Sequence, residues 1–324
     1  MTLRVFASAW GNATHWGSLG RLMDGLKSKG FAGLEASLSD LGDDADARAE
    51  TAKQAQDRGL ELVVGLYSHW TDYEGGWSPV DPSQHLDQLR RQVDACAALD
   101  ATHINVHAGC DSWHEDVSTR FFEDAQRIVP ANASFETHRG RPLGHAFQCK
   151  RILGAVPGLR LTADLSHWHV VHERMAPRFL DGHVDAVAAR VDHVHCRIGN
   201  TQRPQLAAPF AETSAESIDW HLAFWRRCWD AGARTACVEY GPAPYQTTGD
   251  FRGLWLQNCA AKSHIEAAFA AWGEEPSPNL AAARCLGGSG LIKIITLSRS
   301  KAAERRRRRA RGSRMRRRNT SALK

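Results

Sequence analysis

Short apolar runs rich in β-branched residues alternate with longer amphipathic stretches, eight times over, through residues 1–272. The strand-like runs are Leu3–Ala7, Gly33–Ala36, Leu60–Leu66, His103–Val106, Ala133–Phe135, Leu159–Ala163, Val191–Val194 and Thr235–Val238. Between them lie helix-like segments such as Ala45–Arg58, Pro82–Leu99, Val117–Ile128, His145–Val156, His183–Arg190, Trp220–Ala231 and Leu254–Trp272. A helix after each strand supplies the crossover that parallel pairing needs. Gly30, Gly59, Gly158 and Gly232 fall between a helix and the next strand, where a left-handed cap is expected. Eight such units predict a single-domain α/β fold, the (β/α)8 TIM barrel, for which ~250 residues is typical. A doubly wound open sheet is the rival, but it usually carries a Gly-rich phosphate turn after its first strand. The first turn here, SAWGNATHWG, holds no G-x-G-x-x-G.

Composition excludes several classes. Of 324 residues, 43% are hydrophobic and 24% charged, which fits a globular protein and not collagen, a small disulfide scaffold or a wholly disordered chain. No apolar run approaches the ~20 residues that cross a bilayer. MTLRVFASAW lacks the charged-then-apolar pattern of a secretory signal. Eight cysteines without a C-x-x-C pair suggest reduced thiols, so a cytoplasmic location is expected. The net charge of +5 hides a division. Residues 281–324 carry 15 Lys and Arg against the single acid Glu304, or +14, which leaves −9 on the first 280 residues. Electrostatic attraction to nucleic acid is thus confined to the tail. The expected division is a barrel over residues 1–276, then a linker and Arg-rich tail over 277–324. EEPSPN, GGSG, Arg305–Arg309 and Arg316–Arg318 read as a disordered basic appendage. Leu291–Leu297 could form one strand, but a closed barrel has no edge to receive it.

Nearly every strand-like run ends on, or just before, a residue able to bind a metal. Glu35 closes the second run and His69 follows the third; His107, Glu136, Asp164, His195 and Glu239 close the fourth to the eighth. The gaps of 34, 38, 29, 28, 31 and 44 residues are each about one βα unit. A single Glu or His at a strand end is ordinarily a hydrogen-bonded loop residue. Seven in register converge on the face where the carboxyl ends of barrel strands open. Mixed carboxylate and imidazole donors without thiolate suit one divalent ion among Mn, Mg, Co, Fe and Zn. His193 and His195 are both candidates on the seventh strand, since residues two apart share a side.

The stretches SFETHRGRPL, LTADLSHWHVV, HVHCRIGN and CVEYGP resemble the xylose isomerase-like TIM barrel superfamily, over residues 3–272. That group includes sugar isomerases, epimerases and, more distantly, endonuclease IV. The ordered set Glu, Asp-x-x-His, His, Glu at the ends of strands five to eight carries the likeness. The resemblance implies that Glu136, Asp164, His195 and Glu239 hold one ion, with His193 a neighbour. It implies further that Glu136 and Glu239 are the catalytic pair, moving protons while a divalent ion stabilises an enediolate. His167 and Arg197 resemble positions that contact substrate oxygens, though His167 also suits a role orienting Asp164. Glu35, His69 and His107, on the same face, join the substrate-binding candidates.

Departures from the pattern shape the expected function. Xylose isomerase proper has a lysine two residues after its strand-five glutamate; His138 stands there, which argues against a hydride shift. Arg139 and Arg141 beside it suit either an anionic substrate group or salt bridges at the rim. His69 and His107 resemble the extra histidines of endonuclease IV, whose basic DNA grip a barrel at −9 lacks. Trp10, Trp16, Trp70, Trp77, Trp113 and Trp168, in or beside the predicted loops, suit either sugar-stacking walls or packing. The expected protein is a metal-dependent isomerase or epimerase of a small sugar-like molecule. A metal-dependent hydrolase of the endonuclease IV type and a barrel that binds ligand without turnover are the alternatives. Nucleic acid is a partner only through the tail.

Overall fold

The computed structural model describes residues 2–69, 81–175, 183–207, 210, 214–246 and 249–274. Trp70, Trp77, the run Leu291–Leu297 and the basic tail lie outside these described residues. Eight parallel strands close into a barrel in sequence order: β1 (Arg4–Ser8), β2 (Gly33–Ser37), β3 (Glu61–Tyr67), β4 (His103–His107), β5 (Ala133–Glu136), β6 (Leu161–Ala163), β7 (Val191–His195) and β8 (Thr235–Val238). The (β/α)8 reading holds, with strand ends within two residues of expectation. The α-helices among the described residues are α1 (Asn12–Trp16), α2 (Leu19–Ser28), α3 (Leu38–Leu41), α4 (Ala45–Asp57), α5 (Pro82–Cys96), α6 (Glu115–Ile128), α7 (Ala146–Ala155), α8 (Ser166–His172), α9 (His183–Ala188), α10 (Ala215–Asp230) and α11 (Phe251–Glu274). Their starts follow local chemistry: Ser18 caps α2, Asp44 caps α4, and Asp81 caps α5 with Pro82 at its first turn.

Alternation along each strand divides its side chains between two environments. On β4, Ile104 and Val106 pack into the shell between strands and helices, as do Leu34, Ala36, Phe135, Leu161, Ala163 and Val194 on their own strands. That shell is the hydrophobic core. Inside the barrel, the apolar filling among described residues is a plug of Phe6, Val63 and Cys237, with Ala32 packed against it. The remaining interior positions are polar: His103 Nε2 lies 2.7 Å from Ser134 Oγ, which lies 2.6 Å from Thr162 Oγ1. Branched apolar layers commonly fill such barrels.

One local irregularity aims the site. Leu161 pairs with Val191, but Thr162 pairs with His193, so β7 carries one extra residue. Val191 and Val194 both join the outer shell, whereas His193 and His195 face inward onto Glu35. A bulge at Asp192 reverses the facing of the strand, as bulges beside functional sites do. Arg160 anchors the bulged residue, with Nε 2.9 Å and Nη2 2.5 Å from the two Asp192 carboxylate oxygens.

Gly30, Gly59 and Gly232 take positive φ after their helices, but Gly158 does not. The expected cap there is replaced: Val156 is extended (φ −118°) ahead of Pro157, and a residue before proline is kept from helical geometry. Gly33 is required for another reason, since a Cβ there would lie 1.9 Å from the Glu61 carbonyl oxygen. Gly33→Ala should therefore part β2 from β3 and lower the melting temperature by about 4 °C or more, as a loss of ~2 kcal/mol does in a domain of this size. An unchanged melting temperature would show that the pair can give.

Candidate functional site

Glu136 ends β5, Asp164 follows β6, His195 ends β7 and Glu239 follows β8, so four consecutive strands deliver four donors to one end of the barrel. One ligand atom from each lies within 4.8 Å of the others. Glu136, Asp164 and His195 are at most 1% exposed. Three carboxylates so close together, two of them (Glu136 and Asp164) buried, invite a cation. Glu136 Oε1 is buried without a hydrogen-bond partner, and His195 Nδ1 lies 3.0 Å from Glu239 Oε2. A mixed oxygen and nitrogen set of this kind fits a divalent ion.

The surroundings fix each donor. Asp164 Oδ1 accepts from the Ser166 backbone N–H (2.9 Å) and hydroxyl (2.6 Å), while Oδ2 accepts from Arg197 Nη2 (2.5 Å). Burial, with Glu239 and Glu136 nearby, pushes the Asp164 carboxyl up to about 6 although Arg197 pulls it down. Burial also opposes ionisation of Glu136, but His107 and His195 hold its carboxyl well below the usual range. His107 Nε2 stands 2.9 Å from Glu136 Oε2, and its ring stacks on Tyr67 at 4.5 Å. Glu136 is also one of a second group of possible ligands, with His107 and His138. Burial drives His138 down to about 3 against the pull of Glu136, so its ring is neutral at pH 7.

Arg197, 1% exposed, is the cation at the centre of the cluster. Its Nη2 also donates to His167 Nε2 (2.9 Å), Nη1 lies 3.3 Å from Glu239 Oε2, and the guanidinium sits 4.6 Å over the Tyr245 ring. Burial, helped by His138 and Arg197, keeps His167 neutral. Arg141, also 1% exposed, donates from Nη1 to the Gly109 carbonyl at 2.8 Å.

Above the donors opens a cavity of about 250 Å³. Glu35, His107, Arg197 and Glu239 line it together with Trp10, Tyr67 and Tyr245; His167 stands behind Arg197 and does not. Ser37 and Asp40, at the far end, bond each other as the capping box of the short helix Leu38–Leu41. His69 is placed elsewhere: its ring stacks on His85 at 5.1 Å. Of the described loop tryptophans only Trp10 faces the cavity. Trp16 packs on Trp255, Trp113 packs on His85, and Trp168 is buried with Nε1 donating to the Leu143 carbonyl. Sequence reasoning missed Asn105, Tyr67 and Tyr245. Asn105 had a signal, standing two residues before His107 on an alternating strand. Tyr245, on the loop after β8, had none.

The sequence model described as "Xylose isomerase-like TIM barrel" matches residues 23–205. No curated protein sequence matches the chain. Among solved structures, an AP endonuclease, family 2, from Brucella melitensis is 16% identical, with 79% of this chain and 98% of that chain covered and a TM-score of 0.53. A D-allulose 3-epimerase from Methylomonas sp., in complex with D-allulose, is 14% identical, with 82% and 97% covered and a TM-score of 0.54. A xylose isomerase-like TIM barrel protein from Mycobacterium smegmatis, in complex with magnesium, is 14% identical, with 84% and 98% covered and a TM-score of 0.53. At such identities the structures speak to fold alone. The sequence match spans more than half of a chain that closes eight parallel strands, and this chain belongs to the xylose isomerase-like TIM barrel family.

Proposed function

We propose that the chain is a divalent-metal-dependent isomerase or epimerase of a small sugar or hydroxy-carbonyl compound. The observation that carries this reading is the meeting of Glu136, Asp164, His195 and Glu239 beneath the cavity, with Glu136 Oε1 buried and unpartnered among them. Glu136, Asp164, His195 and Glu239 would hold the ion, which when bound would supply Lewis acidity to the substrate. Glu239, at the cavity wall, takes the proton from the carbon beside the carbonyl and is left protonated; Glu136, ionised before the reaction, takes a proton from solvent and delivers it to carbon. Arg197 offers a fixed cation to a substrate oxygen from the cavity wall, and His167 holds Arg197 from behind. A cavity of about 250 Å³ suits a single small ligand, because pockets for drug-sized molecules run ~300–1,000 Å³. The complex of the Methylomonas epimerase with D-allulose supports a sugar as that ligand.

Turnover of candidate ketoses in heavy water, with Mn²⁺ or Mg²⁺ present, tests the reading. Carbon-bound deuterium should appear beside the carbonyl of the product. Product without it would point to hydride transfer, and no product from any ketose would favour ligand binding without turnover. A second reading, hydrolysis by two or three ions, is favoured by the group of His107, Glu136 and His138. Metal content separates the two, since one ion per chain is expected for isomerisation.

Two further proposals concern the chain as a whole. We propose that residues 277–324 are dispensable to the working barrel, so truncation after Pro276 should leave melting temperature, metal content and activity unchanged. A marked loss of any of these would show that the tail matters to the barrel. A cytoplasmic location is supported by the seven described cysteines, all free. No helix among the described residues is long and apolar enough to cross a membrane.

A further inference from the structure

His195 presents its two ring nitrogens to different partners. Nδ1 faces the donor cluster, 3.0 Å from Glu239 Oε2 and 3.8 Å from Glu136 Oε2. Nε2 faces the other way, 3.0 and 3.1 Å from the two carboxylate oxygens of Glu35. Glu35 is 7% exposed and is itself held from two further sides. Asn105 Nδ2 donates to Glu35 Oε1 at 3.0 Å, and His193 Nε2 lies 3.2 Å from Glu35 Oε2. His193 is fixed in turn: its Nδ1 lies 2.9 Å from Thr235 Oγ1, and its ring stacks on His103 at 5.0 Å. The same Asn105 nitrogen donates to Glu136 Oε2 at 2.8 Å, tying Glu35 to a carboxylate of the cluster.

We infer that Glu35 is a positioning residue, which accepts the Nε2 proton of His195 and so presents Nδ1 to the ion, rather than a ligand of the substrate. The inference rests on the reading that His195 binds the metal. A neutral imidazole carries one proton, and the partner of the distal nitrogen decides which nitrogen is left to coordinate. Both oxygens of Glu35 lie within 3.1 Å of His195 Nε2, so the carboxylate is already engaged by the imidazole although Glu35 also lines the cavity. The arrangement also assigns the two histidines of β7 separate parts. His195 reaches the cluster, and His193 supports the carboxylate that orients it.

Mn²⁺ binding to the full chain, followed by the spectrum of free Mn²⁺, tests this. Loss of a carboxylate or carbonyl behind a ligating histidine typically weakens metal binding 10–100-fold. Glu35→Gln should show a loss of about that size, with the metal-free variant melting within a few degrees of the parent. His195→Gln should lose tight binding altogether. Parent-like affinity in Glu35→Gln would overturn the inference while leaving the metal site standing. Parent-like affinity in His195→Gln would overturn the site itself and this inference with it. Two ions in the parent, one of them lost in Glu35→Gln, would instead make Glu35 a ligand with His193 and His195. Should Glu35→Gln fail to fold, the ¹H–¹⁵N long-range spectrum of the ¹⁵N-histidine-labelled parent with Mg²⁺ still decides. His195 should be protonated at Nε2, and a proton at Nδ1 would sink the proposal.

Discussion

Glu239→Gln should lower kcat at least about 10³-fold at full metal occupancy, within the range of ~10²–10⁴ that a positioned acid or base contributes. The amide keeps the size and most of the shape of the side chain but cannot take a proton from carbon. Glu136→Gln should do the same, with a difference in stability that separates the pair. Glu136 accepts from Asn105 Nδ2 at 2.8 Å and has a side chain 0% exposed. An amide there risks setting one N–H₂ against another, which costs about 1–3 kcal/mol when a buried polar group is left unpaired. Glu239 has a side chain 15% exposed at the cavity wall, and its replacement should cost the fold little. Metal content must be measured beside each rate, because both residues are proposed ligands. Glu239→Gln that holds a full complement of metal and still turns over at the parent rate would end the proton-transfer assignment.

Removing the central cation should produce the largest loss of stability. Arg197→Met should destabilise the metal-free protein by about 3–5 kcal/mol, the usual result of leaving one partner of a buried ion pair alone. Asp164, 0% exposed, would lose the guanidinium 2.5 Å from Oδ2, and Glu239 would lose its neighbour at 3.3 Å. Tyr245 would lose the cation over its ring as well. Urea unfolding with chelator and with added Mn²⁺ measures both halves of the argument. Metal should restore more stability to the variant than it adds to the parent, because it returns positive charge to the same carboxylates. A loss under about 1 kcal/mol, the range of an exposed pair, would show that water already screens the cluster.

The barrel was legible because its signals are local. HINVH on β4 reads in, out, in, out, in, and the structure places His103, Asn105 and His107 together on the inner side. The ends of the strands were equally visible, since Glu136, Asp164, His195 and Glu239 stand about one βα unit apart. The alternative between His193 and His195 could not be read from alternation, because both point inward. What separates them is depth along β7, a property of register with Thr235 and Cys237 on β8. The bulge at Asp192 left no mark in the sequence, yet it turns both histidines toward the axis. His69 shows the reverse case. Its spacing suited the site, but after β3 it meets His85, a partner seventeen residues past Ser68 whose Nδ1 lies 2.7 Å from the serine hydroxyl. Tyr245 became part of the site through long-range folding alone.

The interleaving of outer and inner positions on each strand bears on how such a protein can change. Stability is concentrated in the outward set, where truncation of a buried Leu or Ile costs about 2–5 kcal/mol. The inward set contributes polar groups and little apolar area, with Phe6, Val63 and Cys237 as its apolar plug. A mutation at Thr162 or Ser134 therefore alters the charge and hydrogen bonding beneath the site while the neighbouring Leu161, Ala163 and Phe135 keep the strand in place. Sequences drifting under selection can exchange inward residues and acquire new chemistry without passing through an unfolded ancestor. Adjacent residues on one strand thus answer to different selective pressures, and a lineage can keep its architecture while few of its inward residues stay the same.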